Sequence, residues 1–328
     1  MIVSTPVREP LREKRPREVN WGNYSIYFVS LVLVLGLAAS RGNFLRPANL
    51  YSLVYGLSME FLPIIGMTFL LIMGEVDLSM GSVFAFSGVF VGYLTSDLSL
   101  PLWAAVLLAL AGTAIIGAVN GTLVVRLRAN SLMITIGTMI LLRGVADGLI
   151  NFLGGITYPD EYRAIAGLRV GGVHLTIILM VVVVIVLEFL LLKHAAFRKL
   201  FYIGSNQKSA RLYGIRVHRV KLTAFVVSGL LAGLAGILAA SRSGQTVWNT
   251  GQGLEFKMIT AAILGGASLF GGKGSLARSL FGLVLIAVIL NGLVMFNVDP
   301  VWTNVVVGAV LIAAIFTDTR INREKTEY

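Results

Sequence analysis

The chain has 328 residues, of which 56% are hydrophobic and only 13% charged, with a net charge of +11 at pH 7. Soluble domains contain about 25% charged residues, so this composition predicts an integral membrane protein. The absence of cysteine excludes disulfides, iron–sulfur clusters and Cys-ligated zinc. The positive charges border apolar runs, which argues against a nucleic-acid partner.

Ten apolar segments predict an all-α, polytopic membrane protein with about ten transmembrane helices. A span takes about 20 mostly apolar residues, and the shorter segments are expected to be tilted or broken. The segments are Tyr24–Ala39, Met59–Met73, Gly81–Leu94, Leu102–Val125, Leu132–Phe152, Leu175–Leu192, Leu222–Ala240, Phe256–Phe270, Leu276–Phe296 and Val301–Phe316. We expect a cytoplasmic tail over residues 1–23, a transmembrane domain over 24–317 and a second cytoplasmic tail over 318–328.

The distribution of Lys and Arg predicts the orientation, because basic residues resist translocation. With both termini inside, twenty of the 27 Lys and Arg lie on the cytoplasmic side and six lie outside. Spans two to five and seven to ten then start from opposite sides of the membrane. This arrangement is typical of an inverted repeat.

Two acids lie in the turn between the second and third spans, Gly74-Glu75-Val76-Asp77-Leu78-Ser79-Met80-Gly81-Ser82. Charges at membrane depth are costly unless they are capped or paired. We expect Asp77 or Ser79 to cap the third span, since carboxylate and hydroxyl oxygens accept from free N–H groups at a helix start. The alternative is that Glu75, Asp77 and Ser79 line a substrate path.

A second polar cluster, which includes Thr138, Arg143 and Asp147, lies on the fifth span. Arg143 and Asp147 are four residues apart, so they share a helix face and can pair; we expect either pairing or burial. An isolated Arg or Asp at the bilayer centre costs about 2.5–3.5 kcal/mol. The sequence leaves open whether the pair only stabilises the span or faces a transport pathway.

The loop from Lys193 to Lys221 contains eight Lys or Arg and no acid, and it is therefore predicted to be cytoplasmic. A short helix signal within it has cap residues at its start and a glycine at its end. Its residues are Ser205, Asn206, Gln207, Lys208, Ser209, Ala210, Arg211, Leu212, Tyr213 and Gly214. A capped cytoplasmic helix between two spans favours docking of a partner.

The sequence shows no sign of enzymatic chemistry. Gly272-Lys273 is followed by Gly274, and Ala267 lies five residues before Gly272, so both ends of a phosphate-binding loop are missing. The three histidines have no metal-like spacing, and no Ser/His/Asp arrangement or extramembrane carboxylate pair is present. We therefore expect no enzyme, no metal and no cofactor.

Several stretches resemble the ribose/xylose-type ABC importer permeases. The turn 74–82 is similar to their Gly-Gly-Ile-Asp-Leu-Ser-Val-Gly-Ser signature, although Glu75 and Val76 replace Gly and Ile. Gln207 and Lys208 stand where acidic residues are frequent in the family. The other matching stretches are Ile136-Gly137-Thr138-Met139 with Arg143-Gly144, Ile203 to Ile215, and Ala262 to Ser275.

The resemblance implies a permease that forms half of a translocation pathway in a bacterial or archaeal plasma membrane. Its partners would be an ABC ATPase subunit, an extracytoplasmic solute-binding protein, membrane lipid and a second permease, identical or related. Residues 205–214 would form the helix that couples to the ATPase. A monosaccharide is the expected solute, with branched-chain amino acids or nucleosides as alternatives. An ion-gradient-driven transporter using Asp77, Arg143 and Asp147 is the competing class.

Overall fold

The computed structural model describes residues 25–153, 156–246, 249–299 and 301–323. The predicted tail 1–23 and the last five residues of the predicted tail 318–328 lie outside the described residues. Within them the chain is mainly helical, with α1 Ser25–Ser40, α2 Pro47–Ile72, α3 Met80–Ser96, α4 Leu102–Leu127, α5 Ser131–Leu153, α6 Asp160–Gly167, α7 Leu175–Lys193, α8 Ala195–Ser205, α9 Gln207–Leu212, α10 Val217–Ser243, α11 Leu254–Leu264, α12 Leu276–Met295 and α13 Val301–Arg323.

Four two-residue strands form two small antiparallel pairs. Strand β1, Ile156–Thr157, pairs with β4, Gln245–Thr246, and β2, Arg169–Val170, pairs with β3, Val173–His174. Both pairs lie in connections between helices. They do not alter the all-α class that the sequence predicts.

In the described part of the chain, seven helices are long and apolar enough to cross a membrane: α2, α4, α5, α7, α10, α12 and α13 as far as Arg320. This agrees with the predicted polytopic membrane protein. Helices α1, α3 and α11 occupy the remaining three predicted segments but are shorter, at 16, 17 and 11 residues. Length and composition alone therefore give seven spans, and the count of about ten stays a prediction.

Several predicted segments have different bounds in the structure; α10 (Val217–Ser243) and α13 (Val301–Arg323), for example, are longer than predicted. Helix α2 begins at Pro47, twelve residues before the predicted Met59, because polar residues that interrupt the apolar run find partners. The Ser58 hydroxyl hydrogen-bonds Thr176 at 2.9 Å, and the Lys257 ammonium donates to Glu60 at 2.6 Å. The predicted segment Phe256–Phe270 ends as a helix at Leu264, before two glycines.

Helices α2 and α10 form the centre of the protein. Helix α10 packs against α2, α3 and α4, and α2 packs against α10, α11 and α12. Small residues bring these backbones close together. A side chain at Gly229 would collide with the carbonyl of Thr113 on α4, and one at Gly236 with the carbonyl of Phe84 on α3. Many of the buried hydrophobic residues of the core lie on or next to α2 and α10.

Candidate functional site

The turn between α2 and α3 encloses the carboxylate of Asp77, which is 1% exposed. Its Oδ1 accepts from the Ser79 backbone N–H at 2.9 Å and from the Ser79 hydroxyl at 2.5 Å. Its Oδ2 accepts from the Ser228 hydroxyl on α10 at 3.2 Å. Ser79 occupies the N-cap position of α3, but its hydroxyl makes no hydrogen bond to the helix backbone. Asp77 therefore organises the start of α3.

The same network continues into α4 and α5. The Asn120 side-chain amide N–H donates to the Ser79 hydroxyl at 3.0 Å, and the Thr138 hydroxyl donates to Asn120 Oδ1 at 2.6 Å. Sequence reasoning missed Asn120 and Ser228. An asparagine within the apolar segment Leu102–Val125 was a signal that would have found Asn120. The network joins α3, α4, α5 and α10 through hydrogen-bonded side chains that are buried, except for the partly buried Thr138.

Glu75 forms a buried ion pair with Lys221 on α10. The two residues are 9% and 7% exposed. Sequence reasoning counted Lys221 among the charges of the basic loop and did not identify it as the partner of Glu75. The negative charge of Glu75, which stands where the family signature has Gly, is thus neutralised by Lys221 on α10.

The predicted pair of Arg143 and Asp147 is wrong. Arg143 Nη1 donates to the backbone carbonyl of Thr250 at 2.7 Å. Among the described residues no ion pair joins Arg143 to Asp147, and Asp147 Oδ1 is buried without a hydrogen-bond partner. The long Arg143 side chain reaches across to the turn before α11 instead of along its own helix.

Arg143 lines a groove of about 680 Å³ between α5, the start of α11 and α13. Gln252, Glu255 and Asn304 add further polar groups to walls that are otherwise apolar. Glu255 is 4% exposed, and its Oε2 has no hydrogen-bond partner in the described residues. The groove combines a cation, a carboxylate and two amides, which suits hydrogen bonding to a polar solute.

Glycine at position 81 makes room for the Glu255 carboxylate. A Cβ atom at Gly81 would collide with Glu255 Oε2 and with the Gly251 carbonyl. Sequence reasoning missed Glu255, although an acid immediately before the apolar run Phe256–Phe270 was a usable signal. No cluster of metal-ligating side chains occurs in the ranges that the structure describes.

The short helix predicted within the basic loop is present as α9, with its cap residues in place. The Asn206 side chain accepts from the Ser209 N–H at 3.0 Å, and Gly214 ends the element with a φ of +76°. Ser205 belongs to the last turn of α8 rather than to this helix. Leu212 and Tyr213 at the end of α9 are 89% and 87% exposed.

The end of α8 lies close to the end of α2 and to the loop before α12. The Gly272 N–H donates to the Ile72 carbonyl at 2.8 Å. A Cβ atom at Gly204 would overlap that same carbonyl and approach the Gly272 nitrogen. The segment before α9 is therefore packed directly onto the α2–α3 turn and the loop before α12. We call this contact of residues 72, 204 and 272 the glycine junction.

Comparison with known proteins identifies the family of this chain. Residues 51–315 match the family model described as branched-chain amino acid transport system / permease component. The chain is 32% identical over 297 residues to the L-arabinose ABC transporter permease protein AraH of Azospirillum brasilense, covering 89% of this chain and 86% of that protein. No solved structure matches the chain.

Two further relatives come from Escherichia coli K12. The ribose import permease protein RbsC is 31% identical over 294 residues, with 88% of this chain and 91% of RbsC covered. The D-allose transport system permease protein AlsC is 29% identical over 326 residues, with 98% and 100% covered. The resemblance to sugar ABC permeases that the motifs carry is thereby confirmed. The chain is a multi-pass membrane protein that belongs to the branched-chain amino acid transport system / permease component family.

Proposed function

We propose that this chain is the transmembrane permease subunit of an ATP-binding cassette importer for a monosaccharide. The observation that carries the proposal is that relatives matching nearly the whole chain are named as arabinose, ribose and allose permeases. The family description mentions branched-chain amino acids, but these relatives favour a sugar. A separate ATPase subunit supplies the energy, because this sequence has no phosphate-binding loop.

The groove lined by Arg143, Gln252, Glu255 and Asn304 is our candidate for one wall of the translocation pathway. Its polar groups can exchange hydrogen bonds with sugar hydroxyls, and its apolar walls can contact the sugar ring. A second permease subunit, identical or related, completes the pathway from the opposite side. An extracytoplasmic binding protein delivers the solute. Asp77, Ser79 and Thr138 serve structure in this scheme, since they hydrogen-bond within the buried network.

Helix α9 is our candidate for the ATPase-docking element. Its exposed Leu212 and Tyr213 offer apolar contacts to a partner in an otherwise basic region. The glycine junction connects its base to the transmembrane helices. ATP shifts the equilibrium between inward- and outward-facing states only through its different affinity for the two. Closure of the ATPase subunits would move α9 and, through the junction, the α2–α3 turn.

We further propose ten spans in the plasma membrane of a bacterium or archaeon, with both termini cytoplasmic. The bias of Lys and Arg supports this orientation. The packing supports an inverted repeat of α2–α5 and α10–α13, because the first helix of each set packs on the second and third helices of the other. Thus α10 contacts α3 and α4, while α2 contacts α11 and α12.

The proposal is tested by replacing Leu212 and Tyr213 together with aspartate. We expect the double variant to insert normally but to lose the ATPase subunit on co-purification and to lose ATP-driven uptake in vesicles. Val170→Asp is the matched control, since Val170 is an exposed apolar residue, 58% accessible, in the β2–β3 hairpin. Normal uptake by the double variant would contradict docking at α9. Sugar accumulation on an ion gradient without nucleotide would contradict the transporter class.

A further inference from the structure

An apolar groove of about 520 Å³ lies between α2, α7, α8 and α10, away from the residues of the candidate pathway. Its floor and walls include Ile65, Phe69, Leu187, Phe197, Val227 and Leu231. Helix α8 forms one wall through Phe197, whose ring lies 5.7 Å from that of Phe69. Buried Leu200 and Ile203 anchor α8 against the core, while Arg198 and Lys199 remain exposed.

Basic side chains lie at one end of this groove. Lys199 and Arg219 line it, and both also line an adjoining cavity of about 420 Å³ that contains Arg216. Within the described ranges, none of these three cations forms an ion pair. An apolar groove that opens into a basic cavity is complementary to a molecule with a hydrocarbon chain and an anionic head.

The dimensions fit one leaflet of a bilayer. From Arg219 in the first turn of α10 to Leu231, the groove follows twelve residues, or about 18 Å at the α-helical rise. The hydrocarbon core of a bilayer is about 30 Å thick, so the groove has the depth of a single acyl chain. A protein docking from the cytoplasm would contact the exposed end of α9 but would not fill so deep a groove.

We propose that this groove binds an anionic glycerophospholipid, with an acyl chain along α10 and its phosphate among Lys199, Arg216 and Arg219. The assignment to the cytoplasmic leaflet rests on the orientation given under the proposed function. Basic cavities between helices at the cytoplasmic surface bind anionic headgroups, and Arg offers paired N–H groups to phosphate. The headgroup lies beside Tyr213 and Gly214, so the lipid supports the end of α9.

The test measures phospholipid retained by the purified, delipidated full-length permease after addition of phosphatidylglycerol or phosphatidylcholine, by native mass spectrometry. We expect the wild-type protein to retain phosphatidylglycerol preferentially. Replacing Arg216 and Arg219 with glutamine removes two cations, and each is expected to weaken binding about fivefold near an anionic headgroup. Arg126→Gln with Arg128→Gln, two exposed cations at the end of α4, is the matched control and leaves retention unchanged.

A second variant tests the groove without altering charge. Thr223→Trp fills the groove from α10 and is expected to reduce retention of phosphatidylglycerol to the level of the double Arg variant. The proposal is overturned if the double Arg variant retains as much phosphatidylglycerol as the wild type. It is also overturned if the double Arg variant loses phosphatidylglycerol but Thr223→Trp retains it. Equal retention of phosphatidylcholine by the wild type also overturns it. The lipid-retention assay does not involve the ATPase. Its result can therefore be interpreted even if the permease fails to take up sugar.

Discussion

The buried ion pair of Glu75 and Lys221 makes a sharp prediction about stability. Replacing Lys221 with methionine leaves the Glu75 carboxylate in a site where its side chain is only 11% exposed. Removing one partner of a buried pair costs about 3–5 kcal/mol, because the other charge remains desolvated. Since both side chains are nearly enclosed, solvent screening reduces this figure little.

The double variant Glu75→Leu with Lys221→Met removes both charges and keeps similar volumes. Such replacements are often neutral or stabilising, so we expect the double variant to unfold close to wild type. The measurement is equilibrium unfolding of the purified permease in mixed micelles, read as a double-mutant cycle. If the two single losses simply add in the double variant, the pair does not interact and the argument from burial is wrong.

The pair of Lys257 and Glu60 is the internal control. Its side chains are more exposed, at 15% and 26%, and water therefore compensates part of the loss when one partner is removed. We expect Lys257→Met to cost less than half as much as Lys221→Met. Equal losses for the two Lys variants would show that burial does not set the energy of these pairs.

Three further predictions concern the junction, the pathway and the outer surface. Gly204→Val forces a side chain into the Ile72 carbonyl, and such overpacking costs about 1–3 kcal/mol. We expect ATP-driven uptake by this variant to fall. The control is Gly36→Ala, in open space on α1, which should transport normally. Arg143→Gln should raise the KM for uptake about tenfold with unchanged protein yield, since a hydrogen bond to a charged group contributes about 1.5–3 kcal/mol; an unchanged KM would remove Arg143 from the pathway. Burial of His174, and then the charges of Arg169 and Arg242, lower its pKa, so its stabilising contribution is complete above about pH 6.5 and declines as the pH falls toward the lowered pKa. Amides near His174, after correction for the intrinsic pH dependence of exchange, should therefore show smaller protection factors at pH 5 than at pH 7.5. Equal protection factors at the two pH values would refute this.

The sequence predicted features that depend on local patterns. The long apolar runs located the helices, and Asn206 and Gly214 located α9, because capping and left-handed glycine conformations are properties of a few neighbouring residues. The family motifs predicted the class of transporter. The turn also predicted that Asp77 or Ser79 caps α3, but Ser79 makes no side-chain cap hydrogen bond, and Asp77 accepts from the N–H and hydroxyl of Ser79 instead.

Features that depend on distant parts of the chain could not be read in this way. Arg143 bonds Thr250 rather than its neighbour Asp147, and Glu75 pairs with Lys221 across 146 positions of sequence. Helical spacing identifies which side chains share a face, but it does not reveal what the opposing helix presents. Glu255 was missed for the same reason, since its site is formed by the absence of a side chain at Gly81.

Helix α2 has a consequence for biosynthesis. In its most apolar stretch 83% of residues are buried inside the protein, compared with 11% for α13. Much of this covering comes from α10, α11 and α12, which leave the ribosome long after α2 has entered the bilayer. A nascent chain that stops before Val217 would expose the Glu75 carboxylate and the normally buried face of α2 to lipid or to insertion chaperones. The first half of this permease is thus a folding intermediate whose central helix is covered only after the second half has been synthesised.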